Sequence, residues 1–380
     1  MTTMASIFPP AKRYKRHTFK QSLEVTAIAS AAAEGKVADV IELLQTEDPA
    51  AVDELGRTAL TRVCAENPAR VDEVVKLLLA DGRVDPNSAI NHSNVTPLML
   101  AVFHLNVPVV RLLLLDKRVD PNCQDAEGET ALLFICSQWR WRFRLLRSSS
   151  SQPPEGRSQL EAACEIVQLL LEHKRADPNM MDSAGQTALM HAAVRGPIEF
   201  VKLLLGNERV NPEARSRRGE GYVFSSEGDT ALMMASTSDV VRALLADPRV
   251  DPNTQTLRSG DTALLRAARK GDVAIVKVLL EDSRVVPNLK NNQHDTALTA
   301  ACDRRRFAVV KLLLDDHRVD SSKQDSKLAL SRSASVELSE ILLKHLRPIE
   351  RVRPDDSDWR QQVYDVALSN VKRRLKARFR

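Results

Sequence analysis

The chain of 380 residues is 43% hydrophobic and 28% charged, enough apolar matter to fold, while an aromatic content of 4% excludes a core built from large rings. Its five cysteines, at 64, 123, 136, 164 and 302, show neither a CxxC pair nor a dense disulfide framework, and no apolar run reaches the ~18–20 residues of a bilayer span. Net charge is +5, yet residues 1–23 carry +5, residues 138–160 carry +4 and residues 371–380 carry +6, so the remainder stands at −10: an acidic body with basic attachments, and no argument for nucleic acid.

Residues 1–23 read as a basic arm, disordered by composition. Within it Lys12-Arg13-Tyr14-Lys15-Arg16 has the form of a nuclear import signal, and the acid-free start has that of a transit peptide; a plain disordered arm is the simpler reading. With no secretory apolar core, the expected home is intracellular and reducing, cytoplasm or nucleus.

From Thr26 onward the chain repeats itself. A Thr-Ala-Leu or near variant begins at Thr26, Thr58, Thr96, Thr130, Thr187, Thr230, Thr262 and Thr296, and in degraded form at Leu328, which gives nine units. The regular step is 32 to 34 residues; those after Thr58, Thr130 and Thr187 lengthen to 38, 57 and 43. Each Thr is placed to cap a first helix, its hydroxyl accepting a backbone N–H of the first turn. Six residues on stand small side chains (Ala32, Cys64, Ala193, Ala268, Cys302) that let that helix press on its neighbours. A Leu-rich run such as Val201–Leu205, Ile275–Leu280 or Val309–Leu314 supplies a second helix. Asp-Pro-Asn then ends it at 85–87, 120–122, 177–179 and 251–253, with Val286-Pro287-Asn288 as a variant. Gly56, Gly128, Gly185, Gly228 or Gly260 precedes the next Thr where positive φ is called for, and Asn94 and His294 stand in for it twice.

These residues at these offsets resemble the ankyrin repeat. The resemblance covers residues 24–346 and implies an all-α-rich repeat solenoid of stacked helix pairs with β-hairpin fingers. No such unit buries its apolar face alone, so stacking makes the core. Two departures stand out. The family's Thr-Pro-Leu-His has its Pro only at Pro97, and its His position holds Thr61, Met99, Leu133, Met190, Met233, Leu265 or Thr299, which predicts mostly apolar packing in place of a Thr–His hydrogen bond. The turn reads Arg-Val-Asp-Pro-Asn, one residue longer than the family's usual segment.

Three irregularities interrupt the stack. In the fourth unit an insertion at 138–160 places Trp139, Trp141 and Phe143 alternately with Arg140, Arg142 and Arg144. If extended, that strip splits aromatics from cations and suits an anionic membrane or nucleic acid; if the first helix runs on to about Arg147, a Ser/Pro-rich loop follows it. A long finger at 211–228 carries Arg215, Arg217, Arg218, Tyr222 and Phe224. After residue 347, Trp359, Val363, Val366, Val371, Leu375 and Phe379 fall near helical spacing opposite a basic cluster, a C-terminal amphipathic helix suited to capping the last unit or to meeting a partner or membrane.

Chemistry is absent from the pattern. No HxxxH, HExxH, phosphate loop or nucleophile elbow occurs, so neither catalysis nor a metal or cofactor is expected, and Cys64, Cys136 and Cys302 read as small core residues. The expected role is a non-catalytic scaffold or adaptor that binds a protein partner. The resemblance places partners on the concave side, where the position eight after the repeat Thr is Arg195, Lys270 and Arg304; Arg266 and Arg269 share a helix with Lys270, and Arg305 and Arg306 follow Arg304. That basic face predicts a partner with an acidic segment. The alternative is an adaptor held on an anionic membrane or nucleic acid by the aromatic insertion and basic tail. In the same family, finger asparagines with Leu eight and Asp two residues earlier can be hydroxylated by an asparaginyl hydroxylase. Asn87, Asn122, Asn179 and Asn253 have both, though the same residues also make the turn.

Overall fold

A computed structural model describes residues 26–53, 56–90, 93–146, 159–217 and 228–319, together with Ile341. The basic arm, the degraded ninth unit apart from Ile341, and the C-terminal segment therefore lie outside the described residues, as do Arg218, Tyr222, Phe224 and the side chains of residues 140–146. Within them the chain forms eight helix pairs, one per unit. These are α1 (Ala27–Ala33) with α2 (Val37–Thr46), α3 (Ala59–Glu66) with α4 (Val71–Ala80), α5 (Pro97–Phe103) with α6 (Val107–Leu115), and α7 (Ala131–Leu146) with α8 (Gln159–Glu172). The second half pairs α9 (Ala188–Arg195) with α10 (Ile198–Leu205), α11 (Ala231–Met234) with α12 (Ser238–Leu245), α13 (Ala263–Lys270) with α14 (Val273–Glu281), and α15 (Ala297–Asp303) with α16 (Phe307–Asp315). First helices pack on first helices and second on second, and one apolar cluster runs from Ile28 to Leu313.

The repeat residues act as the sequence predicts. The hydroxyls of Thr58, Thr96, Thr187, Thr262 and Thr296 each accept the backbone N–H three residues on. Ala32, Cys64, Ala193, Ala268 and Cys302 are all at most 2% exposed, which is what lets successive first helices touch. Burial pushes the thiols of Cys64 and Cys302 up to about 12, so both stay protonated and unreactive.

The former histidine position is less apolar than expected. Met99 and Met190 each turn the thioether sulfur back to accept the N–H of their capping Thr at 3.5 Å, and Thr299 Oγ1 accepts that of Thr296 at 2.8 Å. The buried helix start supplies an unpaired donor, which a Met or Thr three residues on can meet and the Leu of units four and seven cannot.

The fingers are tight turns rather than strand pairs. Asp125 N–H donates to Glu129 O and Asp182 N–H to Gln186 O at 3.0 Å, and among the described residues the one β-bridge joins Met181 and Thr187. With so few rungs per finger, neighbouring fingers hold each other instead: Ser183 N–H donates to Glu127 O, and Arg217 N–H to Gly185 O. Gly185 has φ +70°, and a Cβ there would stand 2.5 Å from Arg217 O, so both torsion and space require glycine. Asn94 and His294 take φ 50° and 61°, as their substitution for glycine implies.

Two irregular segments can be placed. Residues 131–146 form one continuous helix, which corrects the extended reading of the Trp/Arg strip: α7 winds through Trp139 to Leu146, and α8 begins at Gln159. Trp139 is anchored, its ring 5.3 Å from that of Phe200 on α10. At the long finger, Ser216 N–H donates to Asp229 O at 2.8 Å and Gly228 N–H to Ser216 O at 2.9 Å. These bonds close the base of the finger between Ser216 and Asp229.

Candidate partner-binding face

The first helices and fingers of units four to eight line a groove of about 1340 Å³. Its wall at units four and five carries Glu127, Glu129, Asp182 and His191; its wall at units seven and eight carries Arg266, Arg269, Lys270, Arg304 and Arg306. The position eight after the repeat Thr runs Glu34, Glu66, His104, Gln138, Arg195 and then Lys270 and Arg304, so charge passes from negative to positive along the stack.

The predicted cations divide into two kinds. Arg266 Nη1 lies 2.7 Å from the buried carboxylate of Asp229, in the finger of unit six, and Arg269 Nη1 lies 2.6 Å from that of Asp261, in the finger of its own unit. Arg306 Nε donates to the carbonyl of Arg269 at 3.4 Å and lies over Gly271. Lys270 and Arg304 are loosely engaged, at 3.9 Å from Asp272 and 3.6 Å from Asp303, and remain 71% and 61% exposed. Arg195 and Arg305 are exposed as well. Of the accessory residues, Arg217 is exposed at the finger base, and the backbone of Arg140, Trp141, Arg142, Phe143 and Arg144 is helical.

Two features escaped the sequence reading. His191 Nε2 lies 2.7 Å from Asp182 Oδ2, and with Glu129 these groups come within 4.8 Å of one another. Asp182 Oδ1 already accepts Gln186 N–H, and in unit two Arg62 reaches Asp53 at 3.9 Å from the same repeat positions, so the His–Asp contact belongs to a helix-to-finger brace. The other feature is a ladder of arginines. Arg83, Arg118, Arg175, Arg209, Arg249, Arg284 and Arg318 open the successive turns, and each donates to backbone carbonyls at the end of the preceding unit. An Asp two residues earlier grips most of them, as Asp247 grips Arg249 at 2.6 Å. The Arg83 guanidinium holds the Asp81 carboxyl down at about 2.

The asparagines form a parallel ladder. Asn87 Nδ2 donates to Arg118 O and its Oδ1 accepts Asp120 N–H, a pairing that Asn122, Asn179 and Asn253 repeat with the following unit. Both ends of each amide are engaged in joining units.

Asp125, at the groove's finger, gives a pH prediction. Its Oδ1 accepts Glu127 N–H at 3.0 Å and Glu129 N–H at 2.7 Å, yet burial pushes the carboxyl up to about 6. A raised carboxyl pKa means that the folded state holds the proton more tightly. Stability therefore falls as pH rises from the ordinary carboxylate range through about 6, and the penalty is fully present above it. Asn291 fills the matching place in unit eight and accepts the same two N–H groups. Asp125→Asn should then stabilise the protein at neutral pH by about 1–2 kcal/mol and flatten its profile between about pH 4 and 6. Urea midpoints measured across that range check it; a variant no more stable at neutral pH contradicts it.

The groove is built by units whose sequence and geometry both repeat, and comparison with known proteins names them. A family model for ankyrin repeats matches in three copies, over residues 28–125, 158–256 and 237–325. The chain belongs to the ankyrin repeat family. It is 33% identical over 103 residues to an ankyrin repeat protein of Acanthamoeba polyphaga mimivirus, a match covering 27% of this chain and 19% of that relative. The chain thus spans about a fifth of the length of this relative. Ankyrin repeats are in general protein–protein interaction modules, and the family is typically non-catalytic. Among the described residues, no helix is long and apolar enough to cross a membrane.

Proposed function

We propose that the protein is a non-catalytic scaffold that binds an acidic segment of a partner protein along the concave groove of units five to eight. The observation that carries this reading is that one repeat position holds the exposed cations Arg195, Lys270 and Arg304, of which Lys270 and Arg304 are only loosely paired. Over a body of net charge −10, such a patch attracts an acidic chain that most of the protein's own surface repels.

Reversing Arg195, Lys270 and Arg304 together to Glu should weaken partner binding at least tenfold, about 1.4 kcal/mol, and leave the melting curve unchanged. Arg266 is left out of the variant, because Glu there would face the buried Asp229 carboxylate and damage the fold. Partners captured by the full chain and identified by mass spectrometry supply the ligand, whose affinity is then measured over a salt series. Equal affinity of variant and wild type at low salt would remove this face from consideration.

A further inference from the structure

Unit six departs from its neighbours inside the groove. The second helix begins eleven residues after the repeat Thr in units five, seven and eight, at Ile198, Val273 and Phe307, but only eight after Thr230, at Ser238. The three missing residues come from the first helix and its exit: α11 spans Ala231–Met234, where α9 and α13 have eight residues each. The shortened chain then turns toward unit five, where Ser236 N–H donates to Ala193 O at 3.1 Å. At this unit the groove is lined by Met233, Met234 and Ala235, with Val194, Ala267 and Ile275 also in its lining, an apolar notch between the charged walls.

We propose that this notch receives one large apolar side chain of the acidic partner segment, anchoring it while its carboxylates reach Lys270 and Arg304. The inference rests on the acidic-partner reading above and adds to it the position and chemistry of the anchor. The flexible thioethers of Met233 and Met234 are half-buried and able to reshape around a Leu, Met or Phe side chain. The groove exceeds the roughly 300–1,000 Å³ of an ordinary small-molecule pocket and continues along the stack, which suits a length of peptide. Its polarity sets the direction of the acids: the wall at units four and five sets Glu127, Glu129 and Asp182 against Arg195, whereas Lys270 and Arg304 stand exposed at units seven and eight, so a carboxylate is held more strongly there. Helix pairs stack about 10 Å apart and an extended peptide advances about 3.3 Å per residue, so Lys270 and Arg304 call for acids about three and six residues from the anchor.

The test is selection of a random displayed-peptide library on the immobilised full chain at low salt. The enriched peptides are then measured by fluorescence anisotropy against the wild type, Ser236→Trp, Met234→Ser and the Arg195/Lys270/Arg304→Glu variant. Ser236 is exposed at the notch, so its Trp fills the space without entering the core, and Met234→Ser removes part of the lining. Melting curves confirm that each variant is folded. The expected result is enrichment of an apolar residue with acids about three to six positions away, and at least tenfold weaker binding to all three variants. Acidic peptides without an apolar anchor, bound equally by Ser236→Trp and Met234→Ser, would overturn the notch and leave the acidic-partner reading standing. Peptides that are not acidic, or no enrichment at all, would overturn both.

Discussion

Ala268→Asp is expected to unfold the C-terminal units of the solenoid at urea concentrations that leave the N-terminal units folded. Ala268 is 0% exposed on α13, which packs between α11 and α15. The matching positions hold Ala193 and Cys302, and no larger polar group fits where first helices touch. A carboxylate there loses its water and gains no partner, a change that costs about 3–5 kcal/mol when a buried charge is left uncompensated. In a linear stack that loss falls on the two interfaces of unit seven, so the rod should separate into blocks rather than unfold as one. Ala274→Asp supplies the control. Ala274 is exposed in the first turn of α14, where an added negative charge meets the favourable end of the helix, and should change stability by less than about 0.5 kcal/mol. Equal urea curves for the two variants would mean that the register of α13 is wrong.

Much of the solenoid was legible because its signals sit within one unit. A Thr caps the helix that follows it, a glycine or its Asn and His substitutes turn the finger beside it, and both effects act over a few residues. What eluded the sequence depends on the neighbouring unit. Arg266 reads as free surface charge, but its carboxylate, Asp229, sits in the finger of unit six and meets it only once the units stack, whereas Arg269 closes on Asp261 within its own unit. The arginine ladder is spelled out in every Arg-Val-Asp-Pro-Asn turn, yet Arg284 finds Leu245 O at a distance of 39 residues. The shortened α11 was hidden by compensation, since the step from Thr230 to Thr262 is 32 residues, as in a regular unit. The Val240-Val241 run, ten residues after Thr230 where Ile275 and Val309 stand thirteen after theirs, places the loss ahead of the second helix, and the helix boundaries assign it to the first.

Removing one rung of the arginine ladder should loosen a single junction and no other. Arg249 joins units five and six: its guanidinium donates to Leu205 O at 2.6 Å and Val210 O at 3.0 Å while Asp247 holds it at 2.6 Å. The carbonyls it serves close the end of α10, where a helix leaves its last acceptors without internal donors and its dipole favours a cation. Hydrogen bonds from a charged donor contribute about 1.5–3 kcal/mol, and water reaches this half-exposed site in the variant, so Arg249→Ala should cost about 1–2 kcal/mol of the unit five–six interface. Arg249→Lys should recover little of it, because one ammonium cannot span two carbonyls and a carboxylate in the planar fork that Arg provides. The loss also has a pH signature. The Arg249 guanidinium depresses the Asp247 carboxyl, so the pair's contribution is present above the ordinary carboxylate range and disappears as pH falls through the depressed value. Hydrogen exchange reads the outcome amide by amide: faster exchange in α10 and α12, with α3 to α6 unchanged, at neutral pH. Uniform acceleration along the whole stack would show instead that the ladder stabilises the rod as one cooperative body.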